Sequence, residues 1–154
     1  MVRYRTFRNT DPPVVTALWR QRAGQAGLMQ PVSNDLFEQL VFAKLYFEYS
    51  GLILAYEEGQ PVGFAHAGFG PNADQDDVCH ELGVTSLILV HPEFERTEIP
   101  TGLLQQCETY LRESGAKVLY GGGIQKLNPF YLGLYGEAEL QGVLDSDQVG
   151  QKAF

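Results

Sequence analysis

The sequence predicts an α/β fold in which a mixed, twisted β-sheet carries helices on both faces. Two runs with the composition of β-strands are joined by the short connection EEGQ at residues 57–60, which is typical of an antiparallel hairpin. A nearly continuous apolar run follows at 83–90, and then a segment with helical spacing and another strand-like run. A strand–helix–strand crossover after a hairpin places parallel and antiparallel neighbours in the same sheet.

Composition and charge fit a single packed domain over residues 1–154 and exclude several classes of function. The chain is 44% hydrophobic and carries 11 basic against 19 acidic residues, a formal charge of −8. Sequence-independent binding to nucleic acid, and attraction to an anionic membrane surface, need clustered basic residues, so neither partner is expected. No apolar run approaches the roughly 20 residues that cross a bilayer, and the N-terminus lacks the apolar core of a secretory signal. We therefore expect a soluble, cytoplasmic domain.

The first third of the chain predicts one strand followed by two helices. Residues 2–7 alternate in the pattern of a strand. Asp11 before Pro12 is typical of a helix start, because the carboxylate can cap free amides and proline gives up an N–H that would be unpaired there. An apolar stripe continues to Trp19, and we expect Ser33 to cap a second helix.

The remaining elements follow in the order hairpin, buried strand, helix, strand. The run at 83–90 is apolar almost throughout, which favours a strand that is buried on both faces. A helix is predicted from Pro100, and Gly115 stands where a left-handed C-terminal cap is expected. The predicted strands of this part are 51–56, 61–70, 83–90 and 116–123.

One segment resembles a known family closely enough to imply a function. In residues 87–111, LILVHPEFERTEIPTGLLQQCETYL, a strand ending V-x-P leads through a turn into a helix that opens with Leu-Leu. This segment, and the order of elements from Val2 to about Gly123, is similar to the GNAT superfamily of acyl-coenzyme A-dependent N-acyltransferases. The resemblance implies that the backbone of Leu89 and Val90 pairs with the pantetheine arm of acetyl-CoA, and that amides of the turn hold its pyrophosphate. Free N–H groups and the positive end of a helix dipole favour a phosphate.

The turn departs from the family pattern, which reads R/Q-x-x-G-x-G/A from three residues after the proline. Counting from Pro92 places Glu95 at the basic or amide position, and Glu98 and Pro100 at the two small positions. Two glycines are therefore missing. Together with Glu93, these glutamates bring negative charge to the place where a pyrophosphate would bind, and like charges repel there.

A shift by one residue aligns Arg96 with the family Arg or Gln, but it leaves Ile99 and Thr101 at the glycine positions. In either alignment the motif is degenerate, so two interpretations stay open: a working cofactor turn, or an acyltransferase fold that has lost it. If the turn works, the resemblance implies cofactor contacts from Arg96, Thr97, Ile99, Thr101 and Gly102.

The second family landmark is an Asn-led helix, N-x-x-A-x-x-x-Y, whose tyrosine often protonates the departing thiolate. In a first register Asn128 opens this helix and Tyr135 is the acid, although two glycines and an early proline interrupt the segment. In a second register, which we favour, 128–136 is an aromatic loop and the helix starts at 145–147. DQVGQKAF then matches the motif and places Phe154 at the tyrosine position, with no proton to give.

The predicted general base is Glu81, at the start of the buried strand, with His80 beside it as a second candidate. A base must lie within reach of the substrate ammonium, directly or through water, and have a pKa near the working pH. The alternative is that Glu81 is a solvated loop carboxylate. The acidic stretch 74–77 could attract a cationic amine, but an ordinary solvated loop is favoured.

Cysteine and histidine side chains are not expected to form a metal site. Cys79 and Cys107 lie far apart and show no paired His spacing, so we expect reduced thiols. His66 stands in an apolar strand and His91 precedes a proline. An isolated histidine in such a place is more often a hydrogen-bonded structural residue.

The C-terminus lacks the two strands that the family normally adds after its last helix. The chain is therefore expected to dimerise, or to be the N-terminal part of a longer or tandem protein, because an open sheet edge seeks pairing. Two functions remain. One is an N-acetyltransferase that moves an acetyl group from acetyl-CoA to a small amine by direct attack, and the other is a non-catalytic domain that supports a partner.

Overall fold

In the computed structural model of the protein, residues 1–124, 127, 129–136 and 142–154 are described. Five strands form one sheet in the order β1-β2-β3-β4-β5. The first three pairings are antiparallel and the β4–β5 pairing is parallel, which confirms the predicted mixed sheet. The strands are β1 Val2–Thr6, β2 Leu52–Glu57, β3 Gln60–Gly68, β4 Leu82–Val90 and β5 Val118–Gly121.

Helices cover both faces of this sheet, as predicted. They are α1 Pro12–Arg20, α2 Asn34–Phe37, which continues as a π-helical turn, α3 Ile99–Glu113 and α4 Gln148–Ala153. On one face Trp19 and Phe37 of the first two helices are buried against Phe64 of β3. On the other face Leu103 of α3 and Val149 of α4 are buried in a second core cluster. Within the described chain, no helix has both the length and the apolar character needed to cross a membrane.

The start of α1 differs from the prediction in one detail. The Asp11 carboxylate accepts no hydrogen bond from the helix amides. It instead accepts two from the Arg5 guanidinium, at 2.6 and 2.8 Å, and one from the Arg8 amide at 2.7 Å. A bidentate charged donor is a stronger hydrogen-bond partner than a helix amide, which explains why the Asp11 carboxylate binds Arg5 and does not cap α1. The Ser33 hydroxyl does accept from the Leu36 amide, at 3.1 Å, as predicted for α2.

The two ends of β4 are paired differently. With β5 it pairs only over Leu82–Thr85. On the β3 side, Thr85 pairs with Ala67 and Leu87 with His66, so Ser86 is an extra residue, a β-bulge that bends the strand. Residues 87–90 therefore pair with β3 alone, and within the described chain residues 86–90 have no strand partner on the other side.

After β5 the chain follows the second of the two predicted registers. Residues 129–136 form no helix, and Tyr131 adopts a positive φ of 62° there. The helix predicted to open at Asn128 is therefore wrong over these residues, while Asn128 itself lies outside the described residues. The helix is α4, whose N-cap Asp147 accepts a hydrogen bond from the Gly150 amide at 2.9 Å.

The far end of β5 is covered by later residues of the same chain. Gly123 and Gly142 exchange two backbone hydrogen bonds, at 2.8 and 2.6 Å. The Phe154 ring packs onto Gly121 so closely that a side chain at Gly121 would collide with it. The rest of the edge exposes the apolar side chain of Val118. Dimerisation stays a prediction, which sedimentation checks by finding a species heavier than 17.1 kDa.

Candidate active site

The open end of β4 borders a narrow slot. One wall is residues 87–90 of the strand, and the predicted pantetheine contacts Leu89 and Val90 are among them. The connection after α1 forms a second wall with Arg22, and the C-terminal part of the chain forms a third with Tyr135. The centre of a water molecule can occupy only about 10 Å³ inside it, which is close to the minimum for one water. The slot is therefore closed to a larger group as it stands.

Tyr135 reaches this slot from an irregular segment instead of from a helix. Its hydroxyl donates to Asp147 Oδ2 at 2.7 Å and accepts from the Leu144 amide at 3.0 Å. Both Tyr135 and Asp147 are buried. Burial, followed by the nearby charge of Asp147, raises the pKa of Tyr135, so its hydroxyl keeps its proton at neutral pH. The predicted acid thus lies beside the end of β4, although the helix predicted to carry it is absent.

An ion pair closes the slot on the side of α1. The Arg22 guanidinium pairs with the carboxylate of Glu95, which belongs to the turn between β4 and α3. Arg22 also donates to Gln25 Oε1 from Nε, at 3.1 Å, and from Nη2, at 2.7 Å. Sequence analysis missed Arg22, since it belongs to no motif and the contact spans 73 positions.

The turn between β4 and α3 presents several free amides. The N–H groups of Arg96, Glu98 and Thr101 have no acceptor among the described residues. By contrast, the Ile99 amide is taken by the Thr97 hydroxyl at 3.2 Å. The predicted contacts Arg96 and Thr101 therefore have donors to offer a phosphate, whereas the backbone N–H of Ile99 already has a partner.

Gly102 has a packing reason to be glycine. The Tyr4 hydroxyl lies against its Cα, where a side chain would collide with it. Ile99 and Pro100 are likewise buried at the start of α3. These positions explain how the helix seats on the sheet and do not by themselves indicate a phosphate site.

Three carboxylates surround the same turn, and one of them is neutralised. Glu95 is paired with Arg22, while Glu93 and Glu98 are exposed to solvent. The residues present therefore fit the acetyl donor along the strand edge and at the free amides, and the ion pair removes part of the repulsion that the sequence predicts.

Glu81 lies at the opposite, closed end of β4. Its side chain is exposed and pairs with Lys117, whose hydrogen bond holds the pKa of Glu81 below its usual range. Its backbone carbonyl accepts from the Lys117 and Val118 amides, which fixes the start of β5. His80 packs against Phe69, with ring centroids 4.7 Å apart. The structure brings neither predicted base to the slot.

Two buried polar groups flank the bulge between the two ends of β4. His66 is fully buried, its Nδ1 is 2.9 Å from the Tyr131 hydroxyl, and its Nε2 has no hydrogen-bond partner in the part of the chain that the structure describes. Burial lowers the pKa of His66 to about 3, so the ring is neutral at physiological pH. The Ser86 hydroxyl is likewise buried without a hydrogen-bond partner among the described residues. His66 thus occupies the structural, hydrogen-bonded place that the sequence favours for it.

Comparisons with known proteins identify the family of this chain and structures with a similar fold. The sequence model of the acetyltransferase (GNAT) family matches residues 16–138. A GNAT family acetyltransferase from Brucella melitensis in complex with acetyl-CoA is similar in structure, with a TM-score of 0.62, 14% identity, and coverage of 80% of this chain and 77% of that one. A ribosomal-protein-alanine N-acetyltransferase from Brucella melitensis biovar Abortus 2308 is similar as well, with a TM-score of 0.60 and 16% identity. The match covers 80% of this chain and 81% of that one.

A third similar structure is the N-acetylglutamate synthase from Neisseria gonorrhoeae complexed with coenzyme A and N-acetyl-glutamate. It has a TM-score of 0.55 and 20% identity, and the match covers 79% of this chain but only 25% of that one. No curated protein matches the sequence. At these identities the structural likeness establishes the fold alone.

Proposed function

The chain belongs to the GNAT acetyltransferase family, and from that premise we propose that it is an N-acetyltransferase that moves the acetyl group of acetyl-CoA to a small amine. The observation that carries the proposal is the separation of β4 from β5 after Thr85. Among the described residues, it leaves the backbone of residues 86–90 without a strand partner on one side, beside the buried Tyr135 hydroxyl. A similar structure holds acetyl-CoA, and another holds coenzyme A.

The acetyl donor would lie along the open end of β4. The backbone of Leu89 and Val90 would hold its pantetheine arm, and the amides of Arg96, Glu98 and Thr101 would hold its phosphates. The Thr97 hydroxyl would support this site by accepting a hydrogen bond from the Ile99 amide, which stabilises the first residue of α3. Because the slot admits no more than about one water, the arm enters only when the surrounding side chains move apart.

Tyr135 would act as the acid. In direct transfer the amine nitrogen forms a bond to the thioester carbonyl carbon, the carbon–sulfur bond breaks, and the thiolate takes a proton. The Tyr135 hydroxyl, held by Asp147 at 2.7 Å, is the proton donor that lines the slot. The proton lost by the amine balances the one that the thiolate gains.

The predicted base, Glu81, lies at the closed end of β4 and outside the slot. It could take this proton only through solvent. Its pKa is held low by Lys117, which makes it a weak base at neutral pH. We therefore expect Glu81 to contribute little to the rate, and the amine to arrive with its proton already lost in part to solvent.

Calorimetric titration with acetyl-CoA, combined with a transfer assay over a panel of small primary amines, tests the proposal. We expect saturable heat and acetyl transfer. Val149 of α4 lines the slot, so Val149→Phe fills it and abolishes both signals. Gln148→Phe changes an exposed neighbour on the same helix and is the matched control. Absence of heat and of transfer in a folded wild-type protein contradicts the proposal and leaves the non-catalytic interpretation.

A further inference from the structure

Arg22 lies between the slot and a second, wider groove. The groove is open to solvent, has a volume of about 460 Å³, and is lined by Arg22 and Gln25 together with Pro92 and Ser146. The same Arg22 and Gln25 also line the inner slot. A molecule in the outer groove therefore touches the arginine before it reaches Tyr135.

The Arg22 guanidinium is buried and held in a fixed orientation. Only 9% of the residue is exposed, and two hydrogen bonds to Gln25 Oε1 fix Nε and Nη2. Guanidinium groups bind carboxylate and phosphate oxygens with a planar fork of donors, which lysine does not provide. A buried charge without a partner is costly, so this position needs an oxyanion at all times.

Glu95 supplies that oxyanion from a more accessible place. It follows β4 in an exposed turn outside the regular helices, and its side chain is 30% exposed, against 9% for Arg22. Of the two partners, the arginine is anchored by Gln25, whereas no other hydrogen bond holds the Glu95 carboxylate among the described residues. Any exchange of partners therefore moves Glu95 and leaves Arg22 in place.

We propose that Arg22 is the receptor for an oxyanion carried by one of the two substrates, and that Glu95 occupies this receptor in the free protein. The oxyanion is either a carboxylate on the acceptor amine, bound from the outer groove, or a phosphate of the acetyl donor. Exchange of one anion for another keeps the site neutral, so neither state leaves the buried guanidinium unpaired. Naming a substrate as the carrier rests on the proposed function, whereas the affinity of Arg22 for an oxyanion does not.

Two pairs of probes separate the two sources, with binding measured by calorimetry and without turnover. N-acetylglycine is compared with N-acetylglycinamide, which lacks the carboxylate, and coenzyme A is compared with pantetheine, which lacks the phosphates and the adenosine. Glu95→Gln frees the guanidinium and is expected to tighten binding of the anionic member of one pair about tenfold. Glu93→Gln removes the same charge from the same turn without touching Arg22, and it is the matched control.

Arg22→Gln should reduce the preference for the anionic member to what the turn amides alone supply, and Arg22→Lys should weaken it because the fork is lost. Thermal melting confirms that each variant is folded. If Arg22→Gln does not fold, the binding measurements on Glu95→Gln and Arg22→Lys test the proposal instead. A preference in the first pair that depends on Arg22 identifies an acceptor carboxylate, and one in the second pair that depends on Arg22 identifies a donor phosphate.

A difference within each pair that is the same in the wild type, in Glu95→Gln and in Arg22→Lys overturns the inference. So does an equal gain in affinity from Glu93→Gln, because a general charge effect would then be enough. Anion binding that depends on Arg22, in a protein that transfers acetyl groups to no amine, would keep the inference and remove the proposed function.

Discussion

The two ends of β4 have almost the same apolar sequence and very different surroundings. At the closed end, Leu82–Thr85 pairs with β5, its last two residues also pair with β3, and the nearest charges are an exposed ion pair, Glu81 with Lys117. At the open end the described residues pair the strand on the β3 side only, and buried polar groups from distant parts of the chain face it. The comparison teaches that β4 itself contributes backbone groups. The reactive side chains come from other parts of the chain, which reach the strand where β5 does not pair with it.

The largest effect is expected at the open end, from Tyr135→Phe. This change keeps the ring and removes only the transferable proton. Positioned acid catalysis contributes about 10²–10⁴-fold, so kcat should fall within that range while the dissociation constant of acetyl-CoA stays nearly constant. Steady-state kinetics and calorimetry measure the two quantities. Tyr120→Phe, on β5 opposite Val84 of the closed end, is the control. An equal loss of kcat in Tyr135→Phe and Tyr120→Phe would show that the open end of β4 is not the reactive one.

At the bulge between the two ends, His66 makes stability depend on pH. Its pKa is about 3 when folded, below the ordinary 6.5, so the unfolded chain binds the extra proton. The stabilisation is complete above pH 6.5 and is lost as the pH falls towards 3, at about 1.4 kcal/mol per pH unit. Between pH 6.5 and 5 the free energy of unfolding should therefore drop by about 2 kcal/mol.

Urea denaturation at a series of pH values measures this drop. The double variant His66→Leu, Tyr131→Phe removes the ring and its hydroxyl partner together, and it should flatten the profile over this window. His80→Leu, on an exposed histidine, should leave the profile unchanged. Asp11, whose pKa is held low by the hydrogen bond from Arg5, keeps its contribution above its ordinary pKa of 3.8 and loses it only as the pH falls below that value toward the lowered pKa. If the free energy of unfolding of the double variant still falls between pH 6.5 and 5, a group other than His66 causes the acid sensitivity.

A smaller effect is expected from Asp147→Ala, which tests what covers the open end. The carboxylate accepts from the Gly150 amide and from the Tyr135 hydroxyl, so the change removes a helix cap and an acceptor. We expect the free energy of unfolding to fall by about 1–3 kcal/mol. Asp145→Ala alters an exposed carboxylate two positions earlier and should have little effect. Chemical denaturation compares them, and equal stability of the two variants would show that α4 needs no such cap.

The sequence predicted the elements of the fold well because each has its own local periodicity. The hairpin, β4 and α3 were all visible as strand or helix patterns, and the Ser33 cap needed only its neighbours. The site was harder, because its contacts join positions that no local pattern relates. Arg22 and Glu95 are 73 positions apart.

The misplaced predictions have physical reasons of the same kind. Tyr135 comes to the slot through a segment with positive φ at Tyr131 and at two glycines, where no helical periodicity exists. Glu81 stands at the start of a buried strand, but the sequence does not say which end of that strand opens. The short pairing with β5 and the bulge at Ser86 decide this, and both depend on distant residues.

The smallest effect is expected at the closed end, from Glu81→Gln. The side chain is exposed, pairs with an equally exposed Lys117, and lies outside the slot. An exposed ion pair contributes little to stability because solvent screens it, and Lys117 holds the pKa of Glu81 below its usual range, further from the neutral values that suit a base. We therefore expect kcat/KM and its pH profile to stay close to those of the wild type, with Lys117→Met as the control that removes the partner. If Glu81→Gln instead abolishes a limb of the pH profile, while Lys117→Met shifts that limb to higher pH, Glu81 is the base after all. The division of β4 into an inert end and a reactive end would then be wrong.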